Sequence, residues 1–270
     1  MQGKRGLIMG VANDHSIAWG IAKKLSEQGA ELAFTYQGEA VEKRVRSLVT
    51  TLPKPVDERV ILSCDVEDIA SVATVFTTLK EVWGELDFLV HAIGFSDKNQ
   101  LKGRYVDVTT RDNFIRTMVI SCYSFTEIAQ FALPLMKAGG SMLTLTYNGS
   151  QRVMPNYNVM GLAKAALEAS VRYLAADLGE QGIRVNAVSA GPVRTLAGAG
   201  IGDARHMFNF QKTHAPLQRS TTIEDVGGAA LYLLSDLASG VTGEIHYVDS
   251  GYNIICMPRV ERLNQEAGGA

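Results

Sequence analysis

At 270 residues the chain can form one large α/β domain or two small ones around a substantial core. A net charge of -2 provides no broad basic field, which argues against nucleic acid or an anionic membrane as partner. No run approaches the roughly 20 apolar residues of a membrane span, and the N-terminus enters a strand without a signal-peptide pattern, so a cytoplasmic protein is expected.

Three scattered cysteines, Cys64, Cys122 and Cys256, form no C-x-x-C and fit a reducing compartment. The histidines His15, His91, His206, His214 and His246 lack metal-ligand spacing, so no metal site is expected.

In chain order, Lys4 to Gly10 reads as a buried strand. Ser16 to Gln28 reads as a helix with Ile17, Ile21 and Leu25 on one face and Gly29 as its stop. Glu31 to Tyr36 is a strand and Glu39 to Thr51 a charged amphipathic helix. Arg59 to Ser63 is a strand ending at Cys64-Asp65-Val66, where Cys64 reads as a small core residue. Ile69 to Trp83 is helical, and Leu86 to Ile93 an apolar strand ending in Gly94. Thr110 to Met136 reads as one long helix with Phe114, Met118 and Phe125 among its apolar positions. Ser141 to Tyr147 is a strand, and a helix starts at Asn156, its expected N-cap, and runs to about Leu178. Gly182 to Ser189 is a strand, Ile223 to Leu234 a helix, and Gly243 to Val248 a last strand.

Apolar strands alternating with helices predict a single-domain, Rossmann-type, doubly wound parallel sheet with helices on both faces. Residues 1–258 form that domain, with an insertion at about 195–213, and 259–270 form a flexible tail. Ligands of such sheets lie at the carboxyl ends of the strands. The ends at Gly10, Tyr36, Asp65, Gly94, Tyr147 and Ala190 are therefore expected to line one crevice.

Tyr157 and Lys164 stand seven positions apart. At about 3.6 residues per turn, one helix would present both on the same face. A free phenol titrates near 10, and a neighbouring ammonium would lower that value, which suggests proton chemistry. An ordinary helix can also carry a half-buried tyrosine and a solvated lysine.

The turn from Gly10 to Gly20 joins the first strand to the first helix, where a pyrophosphate would meet free N–H groups and the positive end of the helix dipole. The turn is not G-x-G-x-x-G, and a plain strand-to-helix turn would look similar. Ser16 can cap the helix and donate to phosphate. Gln37 can hydrogen-bond adenosine. Asp65 can accept from the adenine amino group while Val66 packs on the ring, although Asp65 can also serve as a helix-entry residue.

The chain resembles the enoyl-[acyl-carrier-protein] reductases of bacterial fatty-acid synthesis, a branch of the short-chain dehydrogenase/reductase superfamily. The resemblance rests on Gly10-x5-Ser16-x-Ala18, Cys64-Asp65-Val66, Tyr147, the run Pro155 to Lys164, and the run Arg184 to Thr195. Most of the superfamily has Tyr-x3-Lys, whereas this branch and this chain have Tyr-x6-Lys. Gly161 stands where the other spacing would put lysine, and space for substrate would explain a glycine inside a helix.

The resemblance implies hydride transfer from NADH to the β-carbon of a trans-2-enoyl thioester on acyl carrier protein, in a homotetramer. It gives Tyr157, Lys164 and Tyr147 to catalysis. It gives Gly10, Ser16, Ile17, Gln37, Asp65, Val66, Ala92, Ile93, Gly94, Lys164, Ala190, Gly191, Val193 and Thr195 to the cofactor. Ser96, Tyr147, Tyr157, Met160 and Met207 fall to the substrate. The insertion is expected to act as a lid, flexed at Gly198, Gly200 and Gly202, with Arg194, Arg205 and Lys212 at its entrance. Two positions depart from the family pattern: Gly202 replaces a basic residue, and Asp249-Ser250-Gly251 replaces Asp-Gly-Gly. A carbonyl reductase on the same fold would want a serine near Tyr157 and a lysine four positions after it, and a non-catalytic nucleotide sensor would have little need of either Tyr157 or Lys164.

Overall fold

The computed structural model describes residues 1–195 and 204–257. Seven strands form one sheet: β1 (Arg5–Met9), β2 (Glu31–Tyr36), β3 (Ile61–Ser63), β4 (Leu86–His91), β5 (Met136–Thr146), β6 (Arg184–Ala190) and β7 (Ile245–Val248). Their order is β3-β2-β1-β4-β5-β6-β7, and every pairing is parallel. The order reverses between β1 and β4, which opens a crevice at their carboxyl ends.

The apolar runs of the strands follow from burial on both faces. Leu7, Met9, Leu89, Met142 and Val185 enter one core with α3 (Ile69–Val82), α6 (Ser124–Ala132) and α7 (Val159–Leu178). Ile8, Phe34, Phe88, Val90 and Val188 enter the other with α1 (Ile17–Glu27), α2 (Glu39–Val49) and the helix Ile223–Leu234. Successive side chains take opposite faces, so a strand such as Leu7-Ile8-Met9 must be apolar throughout. Truncating one such side chain to alanine costs about 2–5 kcal/mol. Glycines let α1 meet Ile223–Leu234 closely: a Cβ on Gly20 would stand 2.4 Å from the Ile223 carbonyl oxygen.

Three elements differ from the sequence reading. The expected helix from Thr110 to Met136 is α5 (Arg111–Met118), a π-helical segment (Val119–Tyr123), α6 and a 3-10 turn (Leu133–Leu135). Met136 already belongs to β5, because Pro134 and the glycines Gly139 and Gly140 end the helical pattern. The face of α5 toward the interior is polar, carrying buried Asn113 and Thr117, while Phe114 and Met118 are half-buried. The stretch Arg111–Leu135 is long enough to cross a bilayer and contains an 18-residue window of mean hydropathy 1.2. Here Phe125, Ile128, Ala129 and Ala132 pack fully buried in the core.

α7 begins at Val159, so Tyr157 precedes the helix and the N-cap is Asn158 instead of Asn156. Asn156 and Asn158 take φ of 57° and 39°, a left-handed backbone that asparagine tolerates and a helix cannot use. Asn158 Nδ2 donates to the carbonyls of Gln100, Leu101 and Gly103 and ties this turn to the loop after β4. A short α4 (Tyr105–Val108) in that loop was not expected from the sequence.

The second half of the expected lid is a regular helix, α8 (Ala204–His214). Leu196, Gly198, Gly200, Ile201 and Gly202 lie outside the described residues, as does the tail.

Candidate active site

A cleft of about 680 Å³ opens along the carboxyl ends of the strands, within the usual range for a small-molecule site. It is lined by all six expected strand ends, from Gly10 and Tyr36 to Tyr147 and Ala190.

At one end stand Gln37, Asp65 and Val66. The Asp65 carboxylate accepts from the Glu67 N–H at 2.9 Å, and Asp68 rather than Asp65 caps α3. Gly10, Ser16 and Ile17 border the middle. Gly10 takes φ of 99°, and a Cβ there would stand 2.1 Å from the Ala92 carbonyl oxygen, so only glycine lets β1 and β4 close up at this point. Ser16 occupies the N-cap of α1 but does not cap it through its side chain. Its hydroxyl folds back instead, accepting from the N–H groups of Ala12 and Asn13 and donating to Asn13 Oδ1. The first N–H groups of α1 therefore keep no side-chain cap among the described residues, the state in which a helix N-terminus receives a phosphate. Acceptors at one end, a helix N-terminus midway and an ammonium beyond fit a dinucleotide.

Ala92, Ile93, Gly94 and Ser96 continue the wall from β4. α5 and the π-helical segment hold this loop from below: Ser121 Oγ donates to the Phe95 carbonyl and accepts from the Phe95 N–H, and Asn113 and Thr117 donate to Ser96 Oγ. His91, fully buried, bonds Thr144 and Ser124 with its two ring nitrogens. Burial, and then the charge of Lys164, hold His91 down at about 3, so it is neutral.

At the far end Tyr147, Tyr157 and Lys164 come together with Met160, Ala190, Gly191, Val193, Thr195 and Met207. The two tyrosine rings meet edge to face, with centroids 5.1 Å apart and planes at 71°. Lys164 Nζ donates to the Leu145 carbonyl at 2.9 Å. Burial pulls its ammonium down to about 8, against upward pulls from Cys122 and Glu168. The expected lowering of the Tyr157 phenol is reversed. Burial pushes it far above the ordinary value, and Tyr147 and Glu168 push the same way. Tyr147 is likewise raised by burial first, then by Tyr252 and Asp249. Both phenols are neutral donors at ordinary pH.

Sequence reasoning missed Glu67, Phe95 and Arg116. All three line the cleft. The Arg116 guanidinium lies 4.6 Å from the Phe95 ring centroid and pairs with both Glu67 oxygens. It also missed Glu168, on the same face of α7 as Lys164 by the four-residue spacing. Phe208 of α8 lines the cleft beside Met207.

Residues 10–253 match the family model described as enoyl-(acyl carrier protein) reductase. Enoyl-[acyl-carrier-protein] reductase [NADH] 2 of Rhizobium meliloti is 72% identical over 263 residues, covering 97% of this chain and 96% of that protein. The crystal structure of FabI from Candidatus Liberibacter asiaticus superposes with a TM-score of 0.91 at 59% identity, covering 96% of this chain and 98% of that one. The enoyl-(acyl-carrier-protein) reductase of Anaplasma phagocytophilum, solved in complex with NAD, gives 0.90 at 56% identity, covering 97% of this chain and 96% of that one.

Proposed function

The chain belongs to the enoyl-(acyl carrier protein) reductase family, and from that premise we propose how its residues divide the reaction. It is an NADH-dependent oxidoreductase that reduces the double bond of enoyl thioesters carried by acyl carrier protein in fatty-acid synthesis. NADH, when bound, supplies the hydride that is delivered to the β-carbon of the trans-2-enoyl thioester.

Gln37, Asp65 and Val66 would receive the adenosine, and Gly10, Ser16 and Ile17 the pyrophosphate. Ala92, Ile93 and Gly94 would flank the ribose, with Ala190, Gly191, Val193 and Thr195 at the nicotinamide. Lys164 keeps donors beyond the one on Leu145 and would hold the nicotinamide ribose hydroxyls. Its charge would keep the local potential positive.

Negative charge develops on the thioester oxygen as hydride arrives. Tyr157, neutral and buried, would donate a hydrogen bond to that oxygen, and a donor in a dry site stabilises developing charge more than one in water. A proton drawn from solvent would then add to the α-carbon as the thioester carbonyl re-forms. Tyr147, Ser96, Met160 and Met207 would line the acyl end. α8 would cover it and exclude water, while exposed Arg194 and Lys212 would meet the acidic carrier protein. A cytoplasmic homotetramer is the proposed assembly, with half-exposed Ile115 of α5 in an interface.

The observation that carries this reading is the convergence of Tyr147, Tyr157 and Lys164 at the end of one continuous cleft. Nicotinamide absorbance tests it, first with a short enoyl thioester and then with the matched ketone. Turnover of the thioester is expected, and turnover of the ketone alone would assign a carbonyl reductase.

A further inference from the structure

Glu168 takes no part in the scheme above, yet it is a carboxylate only 5% exposed, one turn beyond Lys164 on α7. Its Oε1 accepts from Thr146 Oγ1 at 2.7 Å and from the hydroxyl of Ser150. These two hydroxyls bracket Tyr147, since Thr146 ends β5 and Ser150 ends the 3-10 turn Asn148–Ser150.

That turn is also the surface against which the second tyrosine rests. A Cβ on Gly149 would stand 2.5 Å from Tyr157 Cδ1 and 3.2 Å from Tyr147 Cδ1. A Cβ on Gly161 would stand 2.8 Å from the Gly149 carbonyl oxygen. α7, the turn and both rings are thus packed without slack. A carboxylate is costly to bury, and packing alone would be served by an apolar side chain.

We propose that Glu168 is a positioning residue for the reduction: it clamps both ends of the Tyr147 segment to α7 and thereby fixes the turn that sets Tyr157 relative to Lys164. The proposal rests on the reading that Tyr157 serves the reaction. Its consequence is local. Losing the clamp misplaces the phenol while leaving the nucleotide end of the cleft in place.

The test uses the full chain carrying Ser150→Ala, Glu168→Gln or Glu168→Ala, each alone and with Tyr157→Phe. The readouts are kcat with an enoyl thioester, NADH affinity by nicotinamide fluorescence, and the melting temperature. Glu168→Ala is expected to lower kcat by about tenfold to a hundredfold, the scale of a small misplacement, with NADH affinity held within about twofold. Ser150→Ala, a small truncation at a half-buried position, is expected to lower kcat less. Glu168→Gln is expected to restore most of the rate, because its amide oxygen can accept both hydroxyls. In a Tyr157→Phe background Ser150→Ala should cost nothing further, since both act through one hydroxyl. Parent kcat in Ser150→Ala and Glu168→Ala beside a slow Tyr157→Phe would overturn the positioning role. So would a loss that persists in the Tyr157→Phe background or that falls equally on NADH affinity. A Tyr157→Phe enzyme at the parent rate would instead overturn the underlying reading.

Discussion

The carbonyl oxygen of Gly149 lies 2.8 Å from where a Cβ of Gly161 would be, so the second residue is glycine because another backbone occupies the space. Room for substrate, the expectation from sequence, is not what this contact shows. Glycine to alanine within a helix ordinarily stabilises by about 1 kcal/mol. Here Gly161→Ala must displace the Asn148–Ser150 turn, and overpacking of this kind costs about 1–3 kcal/mol. Urea unfolding is expected to show net destabilisation, and kcat should fall with it. A more stable, fully active variant would mean that the turn yields freely.

Tyr157→Phe removes a donor and leaves the ring that packs on Gly149. Turnover should drop about a hundredfold or more, the usual scale for one such donor, with NADH affinity nearly intact. Lys164→Ala should weaken NADH binding as well. Stopped-flow hydride transfer and equilibrium titration separate the two effects. An unchanged chemical step in Tyr157→Phe, with tenfold weaker NADH binding, would reverse the roles.

The fold was legible because its signals are local. Apolar runs such as Leu7-Ile8-Met9 and a helical face such as Ile21 and Leu25 depend on which faces are buried. The misreadings arose where a tertiary contact outweighed local propensity. Asn156 and Asn158 look like helix-entry residues in sequence, but their left-handed backbone and the Asn158 bonds to the Gln100–Gly103 loop delay the helix past Tyr157. The polar interior face of α5 and the π-helical segment could not be read from apolar periodicity, because Asn113, Thr117 and Ser121 are buried against the loop after β4. The sign of the Tyr157 shift was missed because burial is invisible in a Tyr–Lys spacing. Glu168 was readable in principle from its spacing to Lys164. Its partners Thr146 and Ser150 lie about twenty residues upstream, beyond local pattern.

NADH should be preferred to NADPH. A 2′-phosphate would fall near Gln37, Gly38 and Glu39, none of them cationic, and Glu39 would repel it. Arg46, further along α2, is already paired with Glu42 and Glu58. An exposed ion pair with Lys43 or Arg44 would supply under about 1 kcal/mol. Comparing kcat/KM for the two cofactors checks this, and Gln37→Arg should narrow the gap. Equal or better efficiency with NADPH in the parent would refute the assignment.

Ser250 stands where the resembling family commonly has glycine, and it takes φ of 59°. Its hydroxyl is buried with no hydrogen-bond partner among the described residues. Meanwhile Asp249 holds the turn by accepting from Gly251 and Asn253. Ser250→Gly relieves the left-handed strain and the unpaired hydroxyl, partly offset by the greater freedom of an unfolded glycine. Unfolding free energy should rise by about 0.5–1 kcal/mol, with kcat unchanged. A loss of stability would show that the serine finds a partner this turn does not reveal.

Lys164 makes stability and cofactor binding respond oppositely to pH. Burial lowers its ammonium to about 8 in the folded chain, whereas an unfolded lysine titrates at about 10.4. Between those values the unfolded chain binds the extra proton, so the contribution of Lys164 to stability rises with pH across that window. Below about 8 the cost of burying the charged form is fully present, and above the unfolded value it is gone. The proposed contact with the nicotinamide ribose needs the ammonium, so NADH affinity should fall as pH rises through the same window. Lys164→Met provides the reference, because other groups titrate there too. Relative to that variant, the cofactor-free parent should gain stability from about pH 8 to about pH 10 while its advantage in NADH affinity shrinks. Parallel changes in both quantities would remove the lysine charge from cofactor binding.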